Sequence, residues 1–253
     1  MTTAAKDHPA GATRREKDLL GERDVPADRY FGIQTLRAVE NFPITGVQIG
    51  HYPRLINALA AVKHAAALAN QELGLMSAEV ADAIAAACVE IRGGALHGEF
   101  VVDVIQGGAG TSTNMNANEV IANRALELMG FEKGRYDVLH PNDHVNASQS
   151  TNDVYPTALR LAAWFGIGGL VEAMRELRGA FERKAAQFAD VLKIGRTQLQ
   201  DAVPMTLGQE FSAFAVMIGE DEQRLAEARA LIEEINLGAT AIGTGINAPH
   251  GYT

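Results

Sequence analysis

The sequence predicts a mainly α protein, with an N-terminal helical domain containing irregular segments followed by the long helices of a central helical bundle. Three observations predict it. Two runs of about 30 residues, 157–188 and 206–236, keep helical spacing of apolar residues with no proline inside. Two shorter runs in the first half repeat apolar residues every three or four positions between recognisable start and stop residues. Strand-type alternation is scarce and short.

Residues 1–14 offer nothing that could offset the entropy of ordering them and read as a disordered lead-in. Residues 15–149 are assigned to the N-terminal domain and 150–253 to the first part of the bundle. Over 19–50, Pro26, Gly32, Pro43 and Gly46 break every period, so irregular backbone is expected, with one short helix near 33–39. Pro53 opens a helix over 54–73, in which Leu55, Ile56, Leu59, Val62, Ala66 and Ala69 form one face before Gly74 stops it. Ser77 caps a second, with Val80, Ile84 and Val89 on one side and Gly93 and Gly94 at its end. A third is expected over 116–129. About a dozen residues, including Gly195 and Pro204, join the two long runs, as in an antiparallel helical hairpin.

With 253 residues, 47% of them hydrophobic, the chain can bury the core of one large domain or two small ones. Lys and Arg number 22 against 31 Asp and Glu, a net charge of -9 that repels nucleic acid and anionic lipid. The single Cys88 sits among alanines and reads as a small buried hydrophobe. No apolar leader occupies the start, and no stretch of 18 uncharged apolar residues occurs. A soluble cytoplasmic protein is the resulting expectation, with no nucleic-acid or membrane partner.

Three polar segments rich in small residues lie against helix starts: 106–119 (QGGAGTSTNMNANE), 140–156 (HPNDHVNASQSTNDVYP) and 195–210 (GRTQLQDAVPMTLGQE). Ser, Thr and Asn supply neutral donors at short reach, and a helix N-terminus adds unpaired N–H groups and partial positive charge, a combination suited to a small carboxylate. Taken alone, Ser150 with Asp153 three residues on is equally a helix cap, and Thr197 a turn residue. Residues 107–110 lack the lysine of a nucleotide-binding loop. His140 and His144 have metal-ligand spacing, but Pro141 intervenes and no further ligand stands at metal spacing, so a polar turn or anion contact is expected and no metal.

From about Glu16 to the last residue the chain resembles the aspartase/fumarase superfamily. The resemblance rests on 16–22 (EKDLLGE), Val25 and Pro26, 30–35 (YFGIQT), Asn41 and Phe42, and the three polar segments. Residues 106–118 and Gln198, where fumarases and some aspartases have histidine, match the aspartase branch. The resemblance implies reversible deamination of L-aspartate to fumarate and ammonia, without a cofactor, in a homotetramer with shared active sites. It implies that Thr111, Ser150, Thr151, Asn152 and Thr197 hydrogen-bond the substrate, with Gln198 adjacent, and that His140, Asn142 and Asp143 form a secondary anion site. The family's catalytic serine lies in a loop resembling Gly-Ser-Ser-x-Met-Pro-x-Lys-x-Asn, which these 253 residues do not contain. The catalytic base is therefore expected in a missing C-terminal part, and this chain alone is expected to be inactive, with unpartnered bundle faces. Hydration of fumarate to malate is the alternative activity. An argininosuccinate-lyase-like enzyme and a non-catalytic helical scaffold are the further alternatives.

Overall fold

The computed structural model describes residues 11–106 and 108–252. The chain divides into two compact units. Unit 1 takes the described residues up to Ala162 together with those from Ile235 onward, and unit 2 is Ala163–Glu234.

Unit 1 opens with a hairpin, β1 (Thr13–Asp18) paired antiparallel with β2 (Gly21–Pro26). The strand begins inside the stretch expected to be a disordered lead-in, and β2 replaces expected irregular backbone; residues 1–10 lie outside the described residues. The strands are held by side-chain bonds that leave no periodic signal. Arg14 donates to the carbonyls of Pro26, Arg29 and Phe31 at 2.9, 2.7 and 2.6 Å, and its Nε pairs with Glu16 at 2.7 Å.

Helix α1 (Ile33–Asn41) covers the short helix expected at 33–39. Its N-cap, Gly32, has no side chain to cap with, and two buried carboxylates from elsewhere do so. Glu119 accepts the N–H groups of Gly32, Gln34 and Thr35 at 2.8, 2.8 and 3.0 Å, and Glu16 accepts that of Ile33 at 2.8 Å. A Cβ on Gly32 would lie 2.7 Å from the Glu16 carboxylate and 2.7 Å from the Tyr136 hydroxyl, so only glycine fits. Burial, reinforced by the charge of Glu16, pushes the Glu119 carboxyl up to about 7.

The core is built by α2 (Pro53–Glu72), α3 (Ala78–Arg92) and α4 (Thr111–Leu128). The first two match their expected spans, with Pro53 in the first turn of α2 and Ser77 capping α3 by accepting the Val80 N–H. Ile56, Leu59, Ile84, Ala87 and Ile91 are fully enclosed with Val120, Ile121 and Leu126. Cys88 is also enclosed, and burial pushes its thiol up to about 12. Helix α4 starts five residues before the expected 116, because its first turns are polar and bury polar groups. Asn116, for example, accepts the Val101 N–H and donates to the Glu99 carbonyl, both at 2.9 Å.

Helix α5 (Thr151–Gln187) starts six residues before the expected 157 and continues into unit 2. Pro156 lies inside it. A proline has no N–H to give the carbonyl four residues back, here that of Asn152, and this carbonyl accepts instead from Asn236 Nδ2 at 3.1 Å. Among the described residues α5 is the one helix long and apolar enough to cross a membrane by length and composition. It nevertheless carries Arg160, Glu172 and Arg175 along its length.

In unit 2, α5 is followed by β3 (Leu192–Thr197), β4 (Gln200–Thr206) and α6 (Leu207–Leu231). The connection of about a dozen residues expected between the two long helices is itself a β-hairpin, with an irregularity between Ile194 and Arg196. Thr206 accepts the Gln209 N–H at 3.1 Å while Gln209 accepts that of Thr206 at 2.9 Å, a reciprocal capping box. Thr206→Ala is expected to lower stability by about 1 kcal/mol, read as a small fall in melting temperature. Phe165, Leu170 and Leu177 on α5 and Phe214, Val216 and Met217 on α6 are exposed. These are residues of the two faces expected to lack partners.

Candidate functional site

Unit 1 brings the first two polar segments together. Helix α4 begins at Thr111, whose N-cap Gly110 is left-handed, with φ 94°. Gln106 reaches over this end, accepting the Thr113 N–H at 3.0 Å and donating to its hydroxyl. A Cβ on Gly110 would lie 2.2 Å from the ring of Tyr155, so the loop before α4 lies directly on the first turns of α5. Beside this contact is an open cleft of about 460 Å³ lined by Gln106, Gly108, Gly110, Asn152, Tyr155 and Pro156. Asn152 lines this cleft at the start of α5, and Thr111, outside its lining, is exposed at the start of α4.

The cap reading of Ser150 and Asp153 is correct as far as it goes. The Ser150 N–H donates to Asp153 Oδ1 at 2.9 Å, and Ser150 Oγ accepts the Asn152 N–H at 3.2 Å. Asp153 is fully buried, and its other oxygen accepts the N–H groups of Gly238 and Thr240 at 3.1 and 2.9 Å. Asn152 donates its side-chain amide to the Ala241 carbonyl at 2.8 Å. Because Ser150 accepts in the cap, its own proton stays available to an anion.

Behind Thr151 lies a polar network that the sequence did not reveal. Asn114 Nδ2 donates to Thr151 Oγ1 at 3.0 Å and to Asn146 Oδ1 at 3.1 Å. Asn146 Oδ1 also accepts from Lys63 Nζ at 2.7 Å, and Lys63 makes a second bond to Gln149 Oε1 at 2.9 Å. Lys63 occupies a core position of α2 and is fully enclosed. Burial pushes its ammonium down to about 7, opposed by the charge of Asp153. The one available signal was a lysine four residues after Leu59, on the face otherwise filled by Ile56, Leu59 and Ala66.

A pH prediction follows. Unfolded Lys63 keeps its proton up to about 10.4, whereas the folded form releases it at about 7. Between these values the unfolded state binds more protons, so the Lys63 contribution to stability rises with pH. Subtracting the melting profile of Lys63→Met from that of the parent should isolate this rise between pH 7 and 10; a flat difference would contradict it.

His140, Asn142 and Asp143 stand on the turn before and within a single π-helical turn, Pro141–Val145. His140 Nδ1 accepts the N–H groups of Asn142 and Asp143 at 3.1 and 3.3 Å, and His144 Nδ1 accepts that of His140 at 2.8 Å. Both rings therefore carry their proton on Nε2. Asp143 lies 3.4 Å from an unprotonated nitrogen and forms no ion pair there. This is the expected polar turn. His140 and Asn142 line an open cleft of about 670 Å³ with Lys17, Gln34, Arg37 and Tyr136.

Thr197 and Gln198 belong to unit 2, at the tip of the β3–β4 hairpin. Gln198 and Leu199 form its two-residue turn with φ 51° and 67°. Such a turn is ordinarily made by glycine or asparagine, so these residues are held in a sparsely populated conformation. Thr197 is exposed immediately before it.

A helical chain with polar helix starts gathered around a cleft defines a class, and a family profile described as Lyase matches residues 21–253. The chain belongs to this lyase family. Among its relatives are the aspartate ammonia-lyases of Pseudomonas aeruginosa, 60% identical over 245 residues, and of Escherichia coli K12, 56% identical over 241. These alignments take in 96% and 95% of this chain and 52% and 50% of the relatives, so the chain spans about half the length of the curated relatives it matches. Among solved structures, fumarate lyase:delta crystallin from Brucella melitensis bound to cobalt superposes with a TM-score of 0.92 at 61% identity, over 95% of this chain and 52% of that one. Class II fumarase from Schistosoma mansoni gives 0.89 at 38% identity, over 95% and 50%. The superfamily resemblance and the mainly helical fold are thus borne out.

Proposed function

We propose that this chain is part of an aspartate ammonia-lyase that converts L-aspartate reversibly to fumarate and ammonia. The observation that carries the reading is the 60% identity to an aspartate ammonia-lyase over 96% of the chain, a span that takes in all three polar segments. The lower identity to the fumarase, 38%, favours deamination over hydration.

The difficult step is removal of a proton from the carbon beside a carboxylate, which places two negative charges on that carboxyl group as an aci-carboxylate. Donors already aimed at the group stabilise it most where charge develops and need not reorganise. In this reading Thr111, Ser150, Thr151, Asn152 and Thr197 bind the carboxylates and amino group, with Gln198 adjacent, in sites shared among copies of the chain. The carbon–nitrogen bond then breaks, ammonia leaves and fumarate remains. The general base is a serine outside the present residues. The exposed apolar faces of α5 and α6 would pack against helices of other copies in a homotetramer, and the enzyme would be cytoplasmic. His140, Asn142 and Asp143 would hold a second anion beside the 670 Å³ cleft.

The test is ultraviolet detection of fumarate from L-aspartate and, separately, from L-malate, using the full-length protein that contains this chain. Fumarate from aspartate supports the proposal. Fumarate from malate alone would assign a fumarase, and turnover of neither would leave a scaffold.

A further inference from the structure

Lys63 is an expensive residue for its position. An ammonium enclosed on α2 loses its hydration, and among the described residues it meets amide oxygens and no carboxylate at ion-pair distance. An apolar side chain of the same length would pack there without that cost, so the cation needs another reason to be present.

The hydrogen-bond roles around it supply one. Charged or neutral, the Lys63 nitrogen donates to Asn146 and Gln149, so the atom of Asn146 that faces it is the carbonyl oxygen. The same orientation is required from the other end, where Asn146 Nδ2 donates to the Gln149 carbonyl at 3.3 Å. Asn146 Oδ1 in turn obliges Asn114 to present its amide nitrogen, and that nitrogen also faces Thr151 Oγ1. Asn118 adds a third side-chain donor to the same oxygen, at 3.3 Å. This orientation leaves Asn114 Oδ1 and Asn118 Oδ1 buried without a partner among the described residues. Each such oxygen is unfavourable, yet turning either amide would set two oxygens face to face. Thr151 Oγ1 thus accepts from inside the protein, which leaves its own proton free to be donated elsewhere.

We infer that Lys63 is a positioning residue for Thr151, setting the polarity of the Asn146–Asn114 relay so that the Thr151 hydroxyl donates to a carboxylate of a small dicarboxylate ligand. This deepens the proposed function and rests on it for the identity of that ligand. Without the ammonium, Asn146 and Asn114 are free to turn, and a turned Asn114 takes the Thr151 proton for itself.

The test is a double-substitution cycle in the full-length protein with succinate, a dicarboxylate that cannot lose ammonia, as the binding probe, alongside KM and kcat for L-aspartate. Lys63→Met should weaken succinate binding about tenfold, the equivalent of one hydrogen bond, without lowering the melting temperature. In a Thr151→Val background the same substitution should change succinate binding less than twofold, because the hydroxyl it controls is gone. An equal loss in both backgrounds, or none in the parent, would overturn the inference. Should Lys63→Met fail to fold, Asn114→Ala breaks the relay while leaving Lys63 bonded to Asn146 and Gln149. Its effect must likewise vanish in the Thr151→Val background, and a loss independent of Thr151 overturns the inference. Parent protein that binds succinate but leaves aspartate untouched refutes the aspartase reading alone, since the cycle still reads the coupling. Parent protein that binds no succinate refutes both.

Discussion

On the proposed function, Thr151→Val in the full-length protein is expected to reduce kcat/KM for L-aspartate by about 10² to 10³, the usual consequence of removing one donor from a developing oxyanion. Valine keeps the shape and the branched carbon, so packing at the start of α5 is retained. The cap is retained as well, because Ser150 and Asp153 make it and Thr151 takes no part. Asn114 Nδ2 loses one of its two acceptors but keeps Asn146. The stability change should therefore stay near 1 kcal/mol, and the loss of turnover should far exceed it. Ser150→Ala is the instructive contrast, since it removes both a donor and a cap and should lower melting temperature as well as rate. Comparable small changes in stability and rate for Thr151→Val would mean that its hydroxyl serves only the fold.

The second large effect is expected at Gly110. An alanine there meets two separate obstacles. Its φ of 94° lies in the left-handed region, which a side chain makes unfavourable by about 1–2 kcal/mol, and its Cβ would fall 2.2 Å from the Tyr155 ring. The ring must move or the loop must withdraw from α5, and either disturbs the cleft shared by Gln106 and Asn152. A loss of about 3 kcal/mol or more is expected for Gly110→Ala, measured by denaturant unfolding. Adding Tyr155→Ala removes the collision and leaves the backbone strain, so the double variant should lie less than the sum of the two single losses below the parent. Strict additivity would show that the collision relaxes without consequence.

What could be read in the sequence was what repeats or punctuates. Helices α2 and α3 were legible because their core faces recur every three or four residues and Pro53, Gly74, Ser77 and Gly93 mark their ends. The starts of α4 and α5 were not, because their first turns are Thr, Ser, Asn and Asp, the residues of caps and loops, and Pro156 argued for a boundary. Both hairpins escaped for a related reason. β1 is held by Arg14 reaching backbone carbonyls, and the β3–β4 turn uses Gln198 and Leu199 where asparagine and glycine would have announced it. At the candidate site the exposed hydroxyl and amide residues were legible as polar clusters. Lys63, Asn114 and Asn146 were not, since a network's donors and acceptors come from α2, α4 and the 146–149 turn, and no single stretch of sequence holds the pattern.

The open carbonyl of Asn152 bears on the order in which the molecule is made. That oxygen and the buried carboxylate of Asp153 are satisfied by Asn236, Gly238 and Thr240, more than 80 residues further along the chain. Until those residues have been synthesised, the Asn152 carbonyl lacks its Asn236 donor, and of its native partners Asp153 keeps the Ser150 N–H on one oxygen while the other lacks those of Gly238 and Thr240. Contacts of such long sequence separation also form late, because loop closure must precede them. Unit 1 therefore cannot finish folding as it leaves the ribosome, and must wait for the whole of unit 2 to be translated before its last segment locks the start of α5 in place.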